Sequence, residues 1–142
     1  MMDAKAENTF WRDGALSLRH KKWGYDLPAL DMDFLMIEYD HGIPVALIEY
    51  KRETTEAIAP THPSYRAFKK LGDLSKLPVF TVRYAMNFSW FWIFPMNDLA
   101  EIWIPPYSKI TESEYVTFLY FLRGRSAPES VLASLVGLEV KP

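Results

Sequence analysis

Two apolar runs separated by a short glycine-containing turn constrain this chain more than any other feature. Leu30-Asp31-Met32-Asp33-Phe34-Leu35-Met36-Ile37-Glu38-Tyr39 leads into Asp40-His41-Gly42, and Ile43-Pro44-Val45-Ala46-Leu47-Ile48-Glu49-Tyr50-Lys51 follows. Runs of this kind predict a β-hairpin. A three-residue loop ends in the left-handed region, where Gly42 fits without a Cβ penalty. With 40–42 as the loop, Tyr39 faces Ile43, Asp33 faces Glu49 and Asp31 faces Lys51. Alternation then puts Asp33, Leu35, Ile37, Leu47, Glu49 and Lys51 on one face. Opposed Cβ atoms lie about 5 Å apart and diagonal ones about 7–8 Å, so both carboxylates and the ammonium reach one small volume. The nearly continuous apolar runs predict a central, well-covered hairpin.

That placement has an energetic cost. Like charges directly opposed destabilise a strand pair, and burying unpaired carboxylates among aliphatic side chains costs more. A hard divalent cation offsets both. Mg²⁺ is usually held by one or two carboxylates, with waters and substrate phosphate oxygens completing its shell. Such an ion lowers the pKa of a bound water and stabilises charge developing on a phosphate, and Lys51 is placed to orient that water. A Glu-x-Lys triplet alone carries little weight, because charged residues are common in every chain. The weight comes from Asp33 opposite it.

With these residues in place, the chain resembles the PD-(D/E)xK nuclease superfamily. The resemblance rests on Asp33, Glu49 and Lys51, on a hairpin followed by a helix and another strand, and it covers roughly residues 5 to 85. It implies a restriction-endonuclease-like αβββαβ core and phosphodiester cleavage with Mg²⁺ or Mn²⁺. By the same resemblance Asp33 and Glu49 are metal ligands, the Tyr50 backbone carbonyl is a third, and Lys51 is the catalytic lysine. Glu7 is the candidate for a further glutamate on a first helix, as in Holliday-junction resolvases. Asp31 shares the Asp33 face and is the alternative ligand. The proline of the nominal motif is absent, since Leu30 precedes Asp31 and Met32 precedes Asp33.

Composition sets the outer limits. A chain of 142 residues, 49% hydrophobic and 15% aromatic, suits one folded domain spanning residues 1–142. No apolar run reaches the ~20 residues of a membrane span. The N-terminus has no secretory pattern, so the expected compartment is the cytoplasm. The absence of cysteine rules out disulfides and thiolate metal sites. The net charge of −2 is unusual for a nucleic-acid binder, so any basic footprint must be local. Arg19, Lys21, Lys22, Arg52, Arg66 and Lys69 are the candidate phosphate contacts.

Along the chain, 3–12 reads as a first helix and 13–30 as irregular. After the hairpin, 53–60 reads as a loop. Thr61 and Pro63 then open a helix whose apolar stripe is Tyr65, Phe68, Leu71 and Leu74. Residues 78–84 form a strand. Phe88–Phe94, rich in aromatics, pairs with 100–104 as a C-terminal hairpin across a turn at Asn97-Asp98, and is the candidate seam of a homodimer. Trp90, Trp92 and Trp103 lie in this region and read as core or seam residues before base-stacking ones. Thr111-Glu112-Ser113-Glu114 is a capping box that opens a helix with Tyr115, Phe118, Leu119 and Leu122 inward. A last helix begins near Pro128. The expected architecture is α/β (α+β), a mixed central sheet flanked by helices plus this aromatic hairpin and two C-terminal helices. The expected activity is that of a metal-dependent nuclease acting on DNA, branched DNA and RNA included, with no membrane partner. The competing class is an inactive nuclease-fold protein that binds nucleic acid or another protein.

Overall fold

A four-stranded mixed sheet carries the architecture. The computed structural model describes residues 14–23, 32–56, 59, 61–103 and 108–139. The chain divides into two compact units, 1–31 and 32–142. In the first, α1 (Gly14–Lys22) is helical, where an irregular stretch was expected. Ala15, Leu16, Leu18, Arg19, Lys21 and Lys22 are all good helix formers, and they outweigh the break suggested by Gly14. The expected helix at 3–12, Glu7 and Asp31 lie outside the described residues.

The second unit runs β1 (Phe34–Glu38), β2 (Ile43–Arg52), α2 (Pro63–Ser75), β3 (Val79–Tyr84), β4 (Phe91–Pro95), α3 (Asp98–Glu101), α4 (Glu112–Leu122) and α5 (Glu129–Glu139). Strand order is β1-β2-β3-β4. The outer pairs are antiparallel, and β2 and β3 are parallel, joined through α2 as a crossover requires. The class is α+β. Among the described residues, two strands precede α2 where the αβββαβ pattern has three.

β2 is central, but β1 lies at the sheet edge with most of its residues exposed, which corrects the expectation of a hairpin covered throughout. The turn also differs. Glu38 pairs with Ile43, so the loop is the four residues Tyr39–Gly42, not three, and Tyr39 does not face Ile43. A bulge then leaves Val45 unpaired between the Ile37–Pro44 and Met36–Ala46 pairs. One extra loop residue and one bulged residue cancel, so Leu35 faces Leu47 and Phe34 faces Ile48. Gly42 takes φ 64° as its place in the loop demands. At this tip Glu38 accepts from the His41 amide at 2.9 Å and lies 3.5 Å from Arg123, tying the hairpin to the end of α4.

Alternation sorts the core into two layers. Ala46, Ile48, Phe80, Val82, Phe91 and Ile93 pack against Tyr115, Phe118 and Leu122 of α4. On the other face Leu47 and Val79 pack against Phe68 of α2. The predicted stripe of α2 is only partly used, because Leu71 and Leu74 are 44% and 73% exposed. Phe68 and Gly72 are the buried positions. Helix and sheet approach so closely at Gly72 that a Cβ there would lie 2.0 Å from Val79 Cγ2, and this contact sets which way the helix faces. The Thr111–Glu114 capping box forms as read.

The aromatic segment is not a separate hairpin. β4 pairs with β3, and 98–101 is helical. Asn97 decides this. It is 3% exposed, and its Oδ1 accepts from the amides of Val79 at 3.1 Å and Ala100 at 3.0 Å. Its Nδ2 donates to Asp73 at 3.1 Å and to the Leu77 carbonyl at 2.9 Å. The side chain therefore caps α3 where a second strand was expected.

Two substitutions test this packing. Gly72→Ala is expected to cost roughly 1–3 kcal/mol through overpacking against Val79. Asn97→Ala should cost about 1–3 kcal/mol by stranding buried amides. Urea unfolding measures both, and wild-type midpoints in either variant would contradict the close approach or the cap.

Candidate functional site

The end of β2 gathers the charged residues. The β1–β2 ladder ends at the Phe34–Ile48 pair, and Asp33 and Glu49 are the next residues beyond it. Asp33 itself lies just before β1. Its carboxylate accepts from the Tyr50 backbone N–H at 2.9 Å, taking the ladder position that a strand carbonyl would otherwise fill. In a strand, the N–H and C=O of one residue point to the same neighbour. The Tyr50 carbonyl is therefore directed to the side that holds Asp33.

Glu49 and Lys51 are both half-buried, with Lys51 Nζ 3.3 Å from Glu49 Oε2. Burial raises the Glu49 carboxyl pKa above its ordinary value, and the neighbouring Asp33 charge raises it further. The Lys51 ammonium pulls the other way without reversing the shift. Two carboxylates close enough to repel, a backbone carbonyl and an amine make a set of hard oxygen donors with one cation beside it. That donor chemistry fits Mg²⁺ or Mn²⁺. Among the described residues no group of three or more His, Cys, Asp or Glu side chains gathers around a metal position, so the fit rests on the two carboxylates and the Tyr50 carbonyl.

The back of the strand holds this group in place. The Tyr50 hydroxyl shares a 2.6 Å hydrogen bond with that of Tyr115 on α4. Burial raises the pKa of both phenols, that of Tyr115 well above its ordinary value. With its ring anchored there, the Tyr50 backbone is fixed between Glu49 and Lys51.

Arg83 is a contributor that the sequence reading missed. The parallel register sets it beside Lys51. Its guanidinium donates to the carbonyls of Arg52 at 3.0 Å and Thr55 at 2.7 Å, fastening the turn that leaves the site. Only the alignment of β2 with β3 reveals this, and local patterning does not encode it. Farther along, Lys109 sits 4.2 Å from the Trp90 ring centroid and 5.7 Å from that of Trp92.

The other expected contacts lie on separate elements. Arg19, Lys21 and Lys22 are exposed on α1, within the first unit. Arg52 is exposed at the end of β2. Arg66 and Lys69 are exposed on α2, and Lys69 is paired with Asp73 at 3.1 Å. No helix among the described residues is long and apolar enough to cross a membrane. Compared with family models, curated proteins and solved structures, the chain matches none.

The raised Glu49 pKa has a signed consequence. A carboxyl that holds its proton more tightly in the folded chain contributes stability in acid. That contribution is lost as pH rises through its folded value. Without metal, Glu49→Gln should therefore gain stability relative to wild type between about pH 4 and neutrality. Urea titrations across that range measure the difference, and a variant less stable than wild type at neutral pH would contradict the assignment.

Proposed function

We propose that the chain is a metal-dependent nuclease, an endonuclease acting on DNA. The observation that carries this reading is the convergence of Asp33, Glu49 and Lys51 at one end of β2. The reading brings with it a restriction-endonuclease-like core, supported by the succession of hairpin, crossover helix and parallel strand.

Asp33, Glu49 and the Tyr50 carbonyl would hold Mg²⁺ or Mn²⁺. When bound, such an ion lowers the pKa of water and polarises a phosphoryl oxygen. Asp33 is oriented for this by the Tyr50 amide. Lys51 Nζ, 3.3 Å from Glu49 Oε2, would orient the attacking water and donate to a phosphate oxygen. Water adds to phosphorus and one P–O ester bond breaks, giving a phosphomonoester and an alcohol. Arg83 acts as a positioning residue through the backbone it grips.

One observation favours the competing class. The Glu49–Lys51 ion pair leaves both charges partnered without any metal, as a non-catalytic binding module with this sheet would require.

Two measurements separate the readings. Mn²⁺ should raise the melting temperature of the wild type by mass action, and of Lys51→Ala, but not of Glu49→Gln. Supercoiled, branched and single-stranded DNA incubated with Mn²⁺ should be cut by the wild type. Lys51→Ala should cut them about 10²-fold more slowly or worse. Stabilisation without cleavage would leave a metal-binding module, and cutting that survives both Lys51→Ala and Glu49→Ala would come from a contaminant.

A further inference from the structure

The sheet face opposite the carboxylates carries an open cavity of about 310 Å³, lined by Phe34, Tyr50, Tyr84, Phe88, Phe91 and Glu112. Five of these are aromatic and the sixth is a carboxylate. The rings do not form a single stack. Phe34 meets the Tyr50 ring at 82° with centroids 5.0 Å apart, and Tyr84 meets it at 79° and 6.1 Å. Aromatic surface therefore borders this open cavity from more than one direction.

Phe88 provides a second, independent observation. It is 51% exposed and adopts φ 62°, an outlier for a bulky side chain. Strain of this kind clusters at ligand sites. Here it sets the Phe88 ring parallel to Tyr84, at 6° and 5.8 Å, extending one wall of the cavity.

We infer that this cavity binds a quaternary ammonium group, of the kind carried by choline or by a trimethylated lysine. The faces of aromatic rings attract cations, and Glu112 adds a carboxylate at the same wall. A fully methylated ammonium has no N–H to satisfy, so it needs no hydrogen-bond acceptor from the rings and suits a mostly aromatic lining. A neutral nucleobase fits less well, because it gains no charge attraction from the carboxylate at this wall. The inference does not depend on the nuclease reading, because only Tyr50 belongs to both sites, contributing its ring here and its backbone there.

Calorimetric titration of the full chain tests it, using choline, a trimethyllysine peptide, the neutral dimethylbutanol isostere of choline, and adenosine. At least one of the two cations should bind, roughly tenfold more tightly than the neutral isostere. Whichever binds more tightly identifies the source, a free molecule or a modified side chain. Phe88→Ala and Glu112→Gln should each weaken binding by about threefold or more, and circular dichroism checks that both are folded. Glu112→Gln, nearly isosteric, keeps the test valid if Phe88→Ala unfolds. Failure of both cations to bind, equal affinity for the neutral isostere, saturation by adenosine alone, or unchanged binding in folded variants would each overturn the inference.

Discussion

Asn97 is the interaction on which the second unit turns. Its amide uses both donors and both acceptor sites, on α2, the α2–β3 connection, the first residue of β3 and the first turn of α3. A buried amide satisfied in this way specifies one arrangement, since any slip strands several polar groups at once. It fixes where β3 begins, and β3 sets the parallel register of β2. That register places Arg83 beside Lys51. The charged cluster at the far end of β2 thus inherits its geometry from a polar side chain buried at the other end of the sheet.

The hairpin was legible because its two halves are adjacent in sequence and its faces alternate. The pairing of Leu35 with Leu47 followed from counting, even though the route was different. The chain makes a longer loop and repays the extra residue with a bulge at Val45. A pattern of apolar residues fixes which face a residue occupies more firmly than it fixes the turn, because a single-residue slip would turn Leu47 and Ile48 to the wrong faces. The capping box at Thr111 was equally readable, since its partners lie within one helical turn.

What escaped the sequence is long-range. The aromatic run 88–94 pairs with β3 because Asn97 commits the following residues to a helix, and nothing local announces that an Asn will be buried. On α2 the leucines suggested the inward stripe, yet the glycine faces the sheet. Close approach rewards the smallest residue, which a stripe of large apolar side chains does not mark. Arg83 reads as an ordinary strand arginine until a parallel neighbour is aligned with it. The helix at 14–22 runs against the break that Gly14 suggests, because the residues after it favour helix.

The edge position of β1 has a consequence for the cluster it serves. Glu49 and Lys51 belong to a central strand with neighbours on both sides, whereas Asp33 hangs from the start of a five-residue edge strand and one backbone amide. Edge strands open locally at a fraction of the global unfolding free energy. Fraying there would withdraw one carboxylate while the other stays put. Cation affinity would then include the work of closing this edge, so the site's occupancy and the order of β1 would rise and fall together.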